Sequence, residues 1–214
     1  MSVRTKNMFE RMSLYQKYVL PKLLNWAMKA PALNKLRSEL IPSAEGKVLE
    51  IGIGSGLNLP HYAGISELIG LEPSEELQNL AEDMLTQTHF PSEMLTGSAE
   101  DIPLESNTFD TVVMTWTLCS VTDPVLALSE IKRVMKPGGK VIFAEHGKSP
   151  DQNIRKWQQT INPAWSRIAG GCQLNREIDD LYESSGFKFK SMERGYLEGP
   201  KFATYNYRGV AALR

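Results

Sequence analysis

The stretch KVLEIGIGSGL, residues 47–57, decides the fold. Its first half is apolar and rich in β-branched and leucine residues, which is typical of a buried parallel strand. The strand carries Glu50 and runs into a loop with Gly52, Gly54 and Gly56. Glycines let the chain turn sharply while a ligand approaches the backbone. The stretch therefore predicts a strand followed by a nucleotide-binding loop.

A second stretch, LIGLEPSEEL at residues 68–77, strengthens this prediction. It is typical of another apolar strand that ends in Glu72. Glu72 lies about twenty residues after Gly52, which is where an adenine-nucleotide fold places the acid that binds the ribose hydroxyls. The dinucleotide pattern would require a third glycine at position 57, where this chain has Leu57. The loop therefore does not indicate a pyrophosphate ligand.

Strands and helices alternate through the middle of the chain, which predicts right-handed crossovers and a parallel sheet. Residues 58–62 are expected to enter the first crossover helix or to form the turn that leads into it. Ser74 is a suitable N-cap for the next helix. Further helices are predicted at residues 74–86, 124–135 and 177–185, and Asn175 is a plausible cap for the last of them. Further strands are predicted at residues 93–95, 109–114 and 140–144. A turn is predicted at residues 136–139, directly before the last of these strands.

The end of the chain predicts a different connection. Strands are expected at residues 188–193 and 202–211, joined by a loop with no helix. Neighbouring parallel strands need a longer crossover, so these two should form an antiparallel hairpin at one end of the sheet. The predicted fold class is α/β: a doubly wound, mostly parallel, seven-stranded, Rossmann-like sheet that ends in an antiparallel hairpin.

Composition limits the function. The 214 residues fit a single domain over residues 1–214, and 42% apolar with 23% charged residues is ordinary for a soluble globular protein. A net charge of −1 argues against a nucleic-acid partner. There is no apolar run of about 20 residues and no secretory signal pattern, so we expect a soluble, cytoplasmic protein without stable membrane insertion.

Cysteine usage agrees with a reducing compartment. Cys119 and Cys172 are the only cysteines, and their spacing predicts neither a zinc site nor a disulfide framework. We therefore expect no metal. The sequence specifies no oligomeric state.

Residues 1–42 are expected to form an amino-terminal helical cap. An amphipathic helix is predicted from about Ser13 to Met28, with Pro21 either kinking it or marking its true start. A second helical piece follows at residues 32–40. Three interpretations are open: packing against the sheet edge, which we favour; a lid over the cofactor, with Tyr15 or Tyr18 reaching the site; or peripheral contact with a membrane surface.

The acid-x-Gly-x-Gly-x-Gly arrangement of residues 50–56 resembles the first motif of class I S-adenosylmethionine-dependent methyltransferases. LSEIKRVMKPGGKVIFAEH, residues 128–146, resembles the helix, turn and strand of the same family, including its quinone-biosynthesis type. The resemblance covers residues 47–146 and implies S-adenosylmethionine as cofactor. The implied cofactor-binding residues are Tyr15, Glu50, Gly52, Gly54, Gly56, Asn58, Glu72, Pro73, Ser74, Ala99, Glu100 and Thr115.

Other segments resemble a subgroup of methyltransferase-like proteins that act on alkyl thiols, among them YQKYVLPKLLNWAM at residues 15–28, GCQLNRE at residues 171–177 and YNYRGVA at residues 205–211. We expect no amino-terminal membrane anchor of the kind that the vertebrate members carry. We therefore do not expect a lipid or membrane-bound substrate.

The acceptor side is predicted at the carboxyl end of the fifth strand, where residues 147–176 form a substrate-side insertion. His146 could take a proton from the acceptor, or it could only hydrogen-bond a loop. Cys172 is expected to be inert as a nucleophile, because this donor needs no covalent enzyme intermediate. The candidate substrate-binding residues, several of which could instead be packing residues, are Trp116, Trp157, Cys172 and Tyr205.

These observations predict methyl transfer from S-adenosylmethionine to a small-molecule acceptor, namely a thiol, amine, hydroxyl or ring carbon of a partly apolar compound. The alternative is a non-catalytic or regulatory S-adenosylmethionine-binding module, since fold does not fix function. A nucleic-acid methyltransferase is disfavoured by the charge balance and by the lack of an Asn/Asp-Pro-Pro-aromatic motif.

Overall fold

A computed structural model describes residues 14–213 as an α/β fold built on one seven-stranded sheet. The strands are β1 (Gly46–Ile51), β2 (Ile65–Leu71), β3 (Ser92–Leu95), β4 (Phe109–Thr115), β5 (Met135–His146), β6 (Phe187–Tyr196) and β7 (Tyr205–Leu213). The helices are α1 (Leu20–Met28), α2 (Pro31–Leu40), α3 (Glu75–Leu85), α4 (Pro124–Val134), α5 (Gln152–Ile168), α6 (Ile178–Ser184) and α7 (Lys201–Thr204).

The strand order is β3-β2-β1-β4-β5-β7-β6, with the first five strands parallel and β7 antiparallel to both of its neighbours. This confirms the predicted Rossmann-like sheet and its terminal hairpin. The register pairs Ile51 with Met114 and Thr115 with Ala144, so β1, β4 and β5 end at nearly the same level. Their following loops therefore meet at one edge of the sheet, where open α/β sheets bind ligands.

The four central parallel strands, β2, β1, β4 and β5, are buried on both faces, as expected for a parallel sheet covered by helices. Leu49 and Val112 lie in the larger apolar cluster, and Val48 and Val113 lie in the smaller cluster on the opposite face. Among residues 14–213, no helix combines the length and the apolar composition needed to cross a membrane.

The amino-terminal segment begins as a π-helical turn (Tyr15–Val19) that continues into α1. Pro21 lies in the first turn of α1, so of the two alternatives for this proline the structure supports the helix start. Ser13 and the rest of residues 1–13, where the predicted cap begins, lie outside the described residues.

Four local predictions were wrong. No α-helix connects β1 to β2: the chain makes a 3-10 turn at Leu59–His61, and only residues 62–64 separate this turn from β2. Residues 136–139 form an irregular first part of β5 rather than a separate turn, because Lys136 pairs with Asp110 at 2.8 Å and holds them beside β4. Glu177, not Asn175, occupies the N-cap position of α6, and the short α7 interrupts the hairpin connection.

The amino-terminal end of α3 is as predicted. Ser74 is the N-cap, and its Oγ accepts a hydrogen bond from the N–H of Leu77 at 3.3 Å. Glu75 and Glu76 occupy the first turn, where they interact favourably with the helix dipole.

Gly209→Ala tests the close approach of β6 and β7. A Cβ at Gly209, which has φ +153°, would lie 2.1 Å from the carbonyl oxygen of Ser191, whereas a Cβ at Gly195 on β6 would meet nothing within 4 Å. We expect Gly209→Ala to lower the free energy of unfolding by at least about 2 kcal/mol, and the control Gly195→Ala to change it by less than about 0.5 kcal/mol. Urea unfolding of both variants measures this, and equal losses would contradict the described register.

Candidate active site

Glu50, at the end of β1, is the buried centre of the first polar network. Asn58 Nδ2 donates to Glu50 Oε1 at 2.8 Å and to Thr115 Oγ1 at 3.0 Å, and the hydroxyl of Tyr62 donates to Glu50 Oε2 at 2.7 Å. Burial raises the pKa of Glu50 to about 7. Three of the predicted cofactor-binding residues, Glu50, Asn58 and Thr115, thus lie in direct contact.

Glu72, at the end of β2, forms the second network. Its two carboxylate oxygens accept hydrogen bonds from the backbone N–H groups of Gly54 and Ser74, both at 3.0 Å. Burial raises the pKa of Glu72, while these two hydrogen bonds act in the opposite direction. Each oxygen can still accept a further hydrogen bond, so Glu72 remains able to bind a pair of hydroxyl groups. Pro73, between Glu72 and Ser74, is exposed.

The glycines of the loop have different tasks. A Cβ at Gly52 would lie 2.2 Å from Thr117 Oγ1, so Gly52 allows the loop after β4 to pack closely. A Cβ at Gly54 would meet only the carbonyl oxygen of Gly52, at 3.8 Å. Both residues have positive φ, at +68° and +59°. A Cβ at Gly56 would lie 2.7 Å from Leu59 Cδ1. Gly52 and Gly56 are therefore needed for packing, whereas Gly54 leaves its backbone open to a ligand.

The loop after β4 begins with Trp116, which has a positive φ of 53°. Its backbone N–H donates to the carbonyl of Ala144 at 2.6 Å, and its indole N–H donates to Asn206 Oδ1 at 3.1 Å. The guanidinium of Arg37 lies 4.8 Å from the centre of the indole ring. Left-handed backbone at a non-glycine residue is held only by surrounding contacts and is often found at functional sites. Trp116 is thus fixed where β4, β5, β7 and the cap meet.

Glu145 of β5 fixes the rest of this loop. It is fully buried, and its carboxylate accepts hydrogen bonds from the N–H groups of Thr117, Leu118 and Cys119 at 3.0–3.2 Å. Burial raises its pKa well above the ordinary value for glutamate. This residue was not identified from the sequence, because its partners, the N–H groups of residues 117–119, lie on a distant segment, and no glycine loop like the one after Glu50 follows it.

The cap contacts the loops at the carboxyl ends of the strands. Asn25 of α1 accepts a hydrogen bond from the hydroxyl of Ser55 in the glycine loop at 2.8 Å. Tyr15 donates to the carbonyl of Ile168 at 2.8 Å, so its hydroxyl reaches the insertion rather than the glycine loop. Tyr18 is 54% exposed. The cap therefore contacts the glycine loop through Asn25, whereas neither Tyr15 nor Tyr18 reaches that loop.

Arg37 of α2 is a candidate that the sequence reading missed. Its side chain is buried, it donates to the carbonyl of Met28 at 2.8 Å, and its Nε has no partner among the described residues. Burial lowers the pKa of Arg37 to about 10, while the charge of Glu50 acts to raise it. Arg37 and Glu50 thus provide one basic and one acidic group on the same side of the glycine loop.

The predicted adenine loop is partly engaged in packing. Ala99 is buried in the main apolar cluster. Glu100 Oε1 accepts hydrogen bonds from the N–H groups of Thr122 at 2.8 Å and Asp123 at 3.3 Å, and Oε2 accepts one from the hydroxyl of Ser98. Although burial acts to raise the pKa of Glu100, these hydrogen bonds lower it overall. The carboxylate therefore connects this loop to the start of α4.

On the acceptor side, the fold brings His146 next to both cysteines. Its Nδ1 lies 3.3 Å from Cys172 Sγ, which in turn lies 3.7 Å from Cys119 Sγ. The His146 ring is 5% exposed, and its Nε2 has no partner among the described residues. Cys119 was not among the residues predicted for the site, since nothing in its local sequence marks it.

The two remaining predicted substrate residues are placed differently. Trp157 of α5 is 63% exposed, which places its ring at the surface of the insertion. Tyr205 is 7% exposed and packs edge-on against Tyr196 and Tyr207, with ring centres 5.0 and 5.3 Å away. Neither ring lies in the cluster formed by His146 and the two cysteines.

Comparison with known proteins agrees with this arrangement. Residues 49–143 match the family profile described as a methyltransferase domain. The human thiol S-methyltransferase TMT1B is 35% identical over 160 residues, which cover 72% of this chain and 66% of the human protein. The demethylmenaquinone methyltransferase of Symbiobacterium thermophilum is 29% identical over 200 residues, covering 82% of this chain and 79% of that enzyme. This chain spans only 62–66% of the length of the thiol S-methyltransferases of human and rat.

Solved structures show the same fold. An S-adenosylmethionine-dependent methyltransferase of Thermotoga maritima, titled as a possible histamine N-methyltransferase, superposes with a TM-score of 0.61 at 22% identity and covers 98% of this chain and 96% of its own. A parallel sheet with this terminal hairpin and two acidic strand ends around a glycine loop is the architecture of class I methyltransferases. The chain belongs to the class I S-adenosylmethionine-dependent methyltransferase family.

The residues present fit S-adenosylmethionine, the cofactor of this family. The open backbone at Gly54 leaves room for a ligand, and the buried Oδ1 of Asn58, unpartnered among the described residues, requires a hydrogen-bond donor. Glu50 and Arg37 complement the ammonium and carboxylate groups of the methionyl part, and Glu72 suits the ribose hydroxyls.

Glu50→Gln tests the raised pKa of Glu50. The folded protein keeps a proton on Glu50 up to a pH of about 7, whereas the unfolded chain loses it near the ordinary pKa of 4.5. The free energy of unfolding should therefore fall between about pH 5 and pH 8 by roughly 2–3 kcal/mol more in the wild type than in Glu50→Gln. Denaturant unfolding across this range measures the difference.

The matched control is Glu82→Gln, at an exposed position of α3, which should follow the wild-type pH dependence. Parallel curves for the wild type and Glu50→Gln would mean that Glu50 is already ionised in the folded protein near pH 6, contrary to the described burial.

Proposed function

We propose that this methyltransferase transfers the methyl group of S-adenosylmethionine to the thiol of a small, partly apolar compound. The observation that carries the proposal is the 35% identity to a thiol S-methyltransferase across 72% of this chain. The geometry on the acceptor side supports it, because His146 and two sulfur atoms lie together at the end of β5, beside the loop that begins with Trp116.

The chain has two tasks in this reaction. S-adenosylmethionine supplies an electrophilic methyl group on a sulfonium, so holding the acceptor in line can provide roughly 7–11 kcal/mol of the barrier reduction. The second task is to stabilise the acceptor as a thiolate, because a free thiol with a pKa of about 8.5 is mostly protonated near neutral pH. The group formed by His146, Cys119 and Cys172 is the candidate for the second task.

A ring carbon is a second candidate acceptor. The similarity to demethylmenaquinone methyltransferase extends over 82% of this chain, more than the similarity to the thiol enzymes. An activated ring carbon also needs a base, and His146 would serve it in the same position. A non-catalytic cofactor-binding module remains the competing interpretation, in which S-adenosylmethionine binds without turnover.

We further propose a cytoplasmic enzyme, because a reducing compartment keeps both free cysteines as thiols. The exposed apolar side chains of the cap, among them Leu14, Leu23 and Trp26, would allow peripheral contact with a membrane surface.

The acceptor class is tested by following conversion of S-adenosylmethionine to S-adenosylhomocysteine with matched acceptors. Butanethiol, butylamine, butanol and a hydroquinone differ mainly in the reacting atom. We expect turnover with butanethiol at least about tenfold faster than with the amine or the alcohol, because the thiolate is accessible near neutral pH. Turnover with the hydroquinone alone would favour the ring-carbon acceptor, and binding of the cofactor without turnover of any acceptor would favour the regulatory module.

The cofactor-binding role of Glu72 has its own test. Glu72→Ala should weaken S-adenosylmethionine binding by roughly 1–3 kcal/mol, because it removes the carboxylate proposed for the ribose hydroxyls and releases the N–H of Gly54. Isothermal titration calorimetry measures the change. Glu75→Ala, at an exposed position in the first turn of α3, is the control and should leave the affinity unchanged. Equal affinity of both variants would remove this role from Glu72.

A further inference from the structure

The side chains of Cys119, His146 and Cys172 form a compact donor group. Their nearest ligand atoms all lie within 4.8 Å of one another. They come from three separate segments: the loop after β4, the end of β5 and the segment that follows α5. Two sulfurs and one imidazole nitrogen are the ligand types that borderline and soft metal ions such as Zn²⁺ prefer.

Two of the three ligand-atom distances match tetrahedral coordination. Bond lengths of about 2.3 Å for Zn–S and about 2.0–2.1 Å for Zn–N place two sulfurs about 3.8 Å apart, and a sulfur and a nitrogen about 3.5 Å apart. The observed separations are 3.7 Å between the two sulfurs and 3.3 Å between Cys172 Sγ and His146 Nδ1. The remaining pair, Cys119 Sγ and the His146 ring, lies within 4.8 Å, so a metal ion would draw these two ligands together by up to about 1 Å.

The fold also holds these ligands in place. The N–H of Cys119 donates to the buried carboxylate of Glu145 at 3.2 Å. The N–H of Gln173 donates to the carbonyl of Cys119 at 2.8 Å, which ties the two cysteine segments together. Gly171 makes this approach possible, because a Cβ there would lie 2.9 Å from the carbonyl oxygen of Ser120. The donor group is thus set before any ligand arrives, which lowers the cost of binding.

The charges beside the group are the buried carboxylate of Glu145, which accepts the N–H of Cys119, and the guanidinium of Arg176. Two thiolates and a further anionic ligand around a divalent cation would leave one net negative charge. The guanidinium of Arg176 donates to the carbonyl oxygens of Leu118 and Val121, on the loop that carries Cys119. This fixed positive charge offsets the excess negative charge of a loaded site.

We propose that Cys119, His146 and Cys172 bind a Zn²⁺-type metal ion whose fourth position receives the thiol of the methyl acceptor. The second half of this proposal rests on the proposed function. Three protein ligands with one open position are the arrangement of catalytic rather than structural zinc sites.

The chemistry balances without any further reagent. A thiol that binds the open position loses its proton to solvent, since a coordinating thiol is deprotonated by the metal. Its sulfur then forms a bond to the transferred methyl carbon, while the carbon–sulfonium bond breaks and its electron pair stays on the cofactor sulfur. The products are a neutral thioether, S-adenosylhomocysteine and one proton. His146 is then a metal ligand through Nδ1, and the metal replaces a general base.

The expectation of no metal site came from cysteine spacing along the chain. That spacing gives no information about residues that meet only after folding, and the observed grouping is what changes the inference.

Co²⁺ titration of the reduced, metal-free full chain tests the site directly. We expect one equivalent to bind with the thiolate-to-cobalt charge-transfer band and intense ligand-field bands of a tetrahedral complex, and Zn²⁺ to abolish both. Cys119→Ser, Cys172→Ser and His146→Gln should each weaken binding by at least about a hundredfold, since loss of an outer-shell partner alone costs about 10–100-fold. His89→Gln, at an exposed histidine outside the group, should have no effect.

Cofactor affinity serves as the folding control for these variants, because the glycine loop and Glu72 lie outside the donor group. Failure of the reduced wild type to bind Co²⁺, or equal binding by the wild type and both serine variants, would overturn the metal site.

The same Co²⁺ spectrum tests whether the acceptor thiol binds the fourth position of the metal ion. Butanethiol should shift the charge-transfer band of the Co²⁺ protein, whereas butanol should not. A band that is insensitive to butanethiol would overturn the open position for the acceptor while leaving the metal site standing. Because this readout needs no turnover, it separates failure of the metal inference from failure of the methyltransferase activity.

Discussion

The buried carboxylate of Glu145 fixes the loop on which both sides of the active site depend. It accepts three consecutive backbone N–H groups, from Thr117 to Cys119, and so satisfies donors that would otherwise be buried without partners. An unpaired buried donor costs about 1–3 kcal/mol, so three such hydrogen bonds strongly favour one conformation of the loop. Trp116 can then be held with a positive φ, because the residues on either side of it have no freedom to relax.

This loop connects the two halves of the site physically. Thr117 fills the space that Gly52 leaves open and donates to the carbonyl of Ile51 at 3.2 Å, so the cofactor side is packed against it. Cys119, two residues further on, faces the donor group around His146. The parallel register of β1, β4 and β5 brings these loops to the same edge, and the cap lies over them through Asn25 and Arg37.

The parts of the site that the sequence predicted are those with local causes. Positive φ at a glycine loop, an acid at a strand end and a serine N-cap each depend on a few neighbouring residues, and Gly54, Glu72 and Ser74 are indeed in direct contact. The topology of the sheet was predicted from the alternation of strands and helices and from the absence of a long crossover between the last two strands. Both require only periodicity and connection length.

The parts that the sequence did not predict depend on contacts between distant segments. Arg37 and Glu145 are ordinary charged residues in the sequence, and only the fold buries them. Cys119, His146 and Cys172 lie far apart along the chain, so their spacing could not show that they meet. Trp157 shows the opposite error: an aromatic residue on an amphipathic helix was expected at the site, but the helix turns it toward solvent.

Intramolecular competition is the sharpest test of methyl transfer to sulfur. A single short acceptor that carries a thiol at one end and a hydroxyl at the other would be offered together with isotopically labelled S-adenosylmethionine. Nuclear magnetic resonance of the product then identifies the atom that carries the labelled methyl group. We expect label on sulfur alone; label on oxygen, or cofactor turnover without a methylated thiol, would rule out sulfur as the acceptor atom.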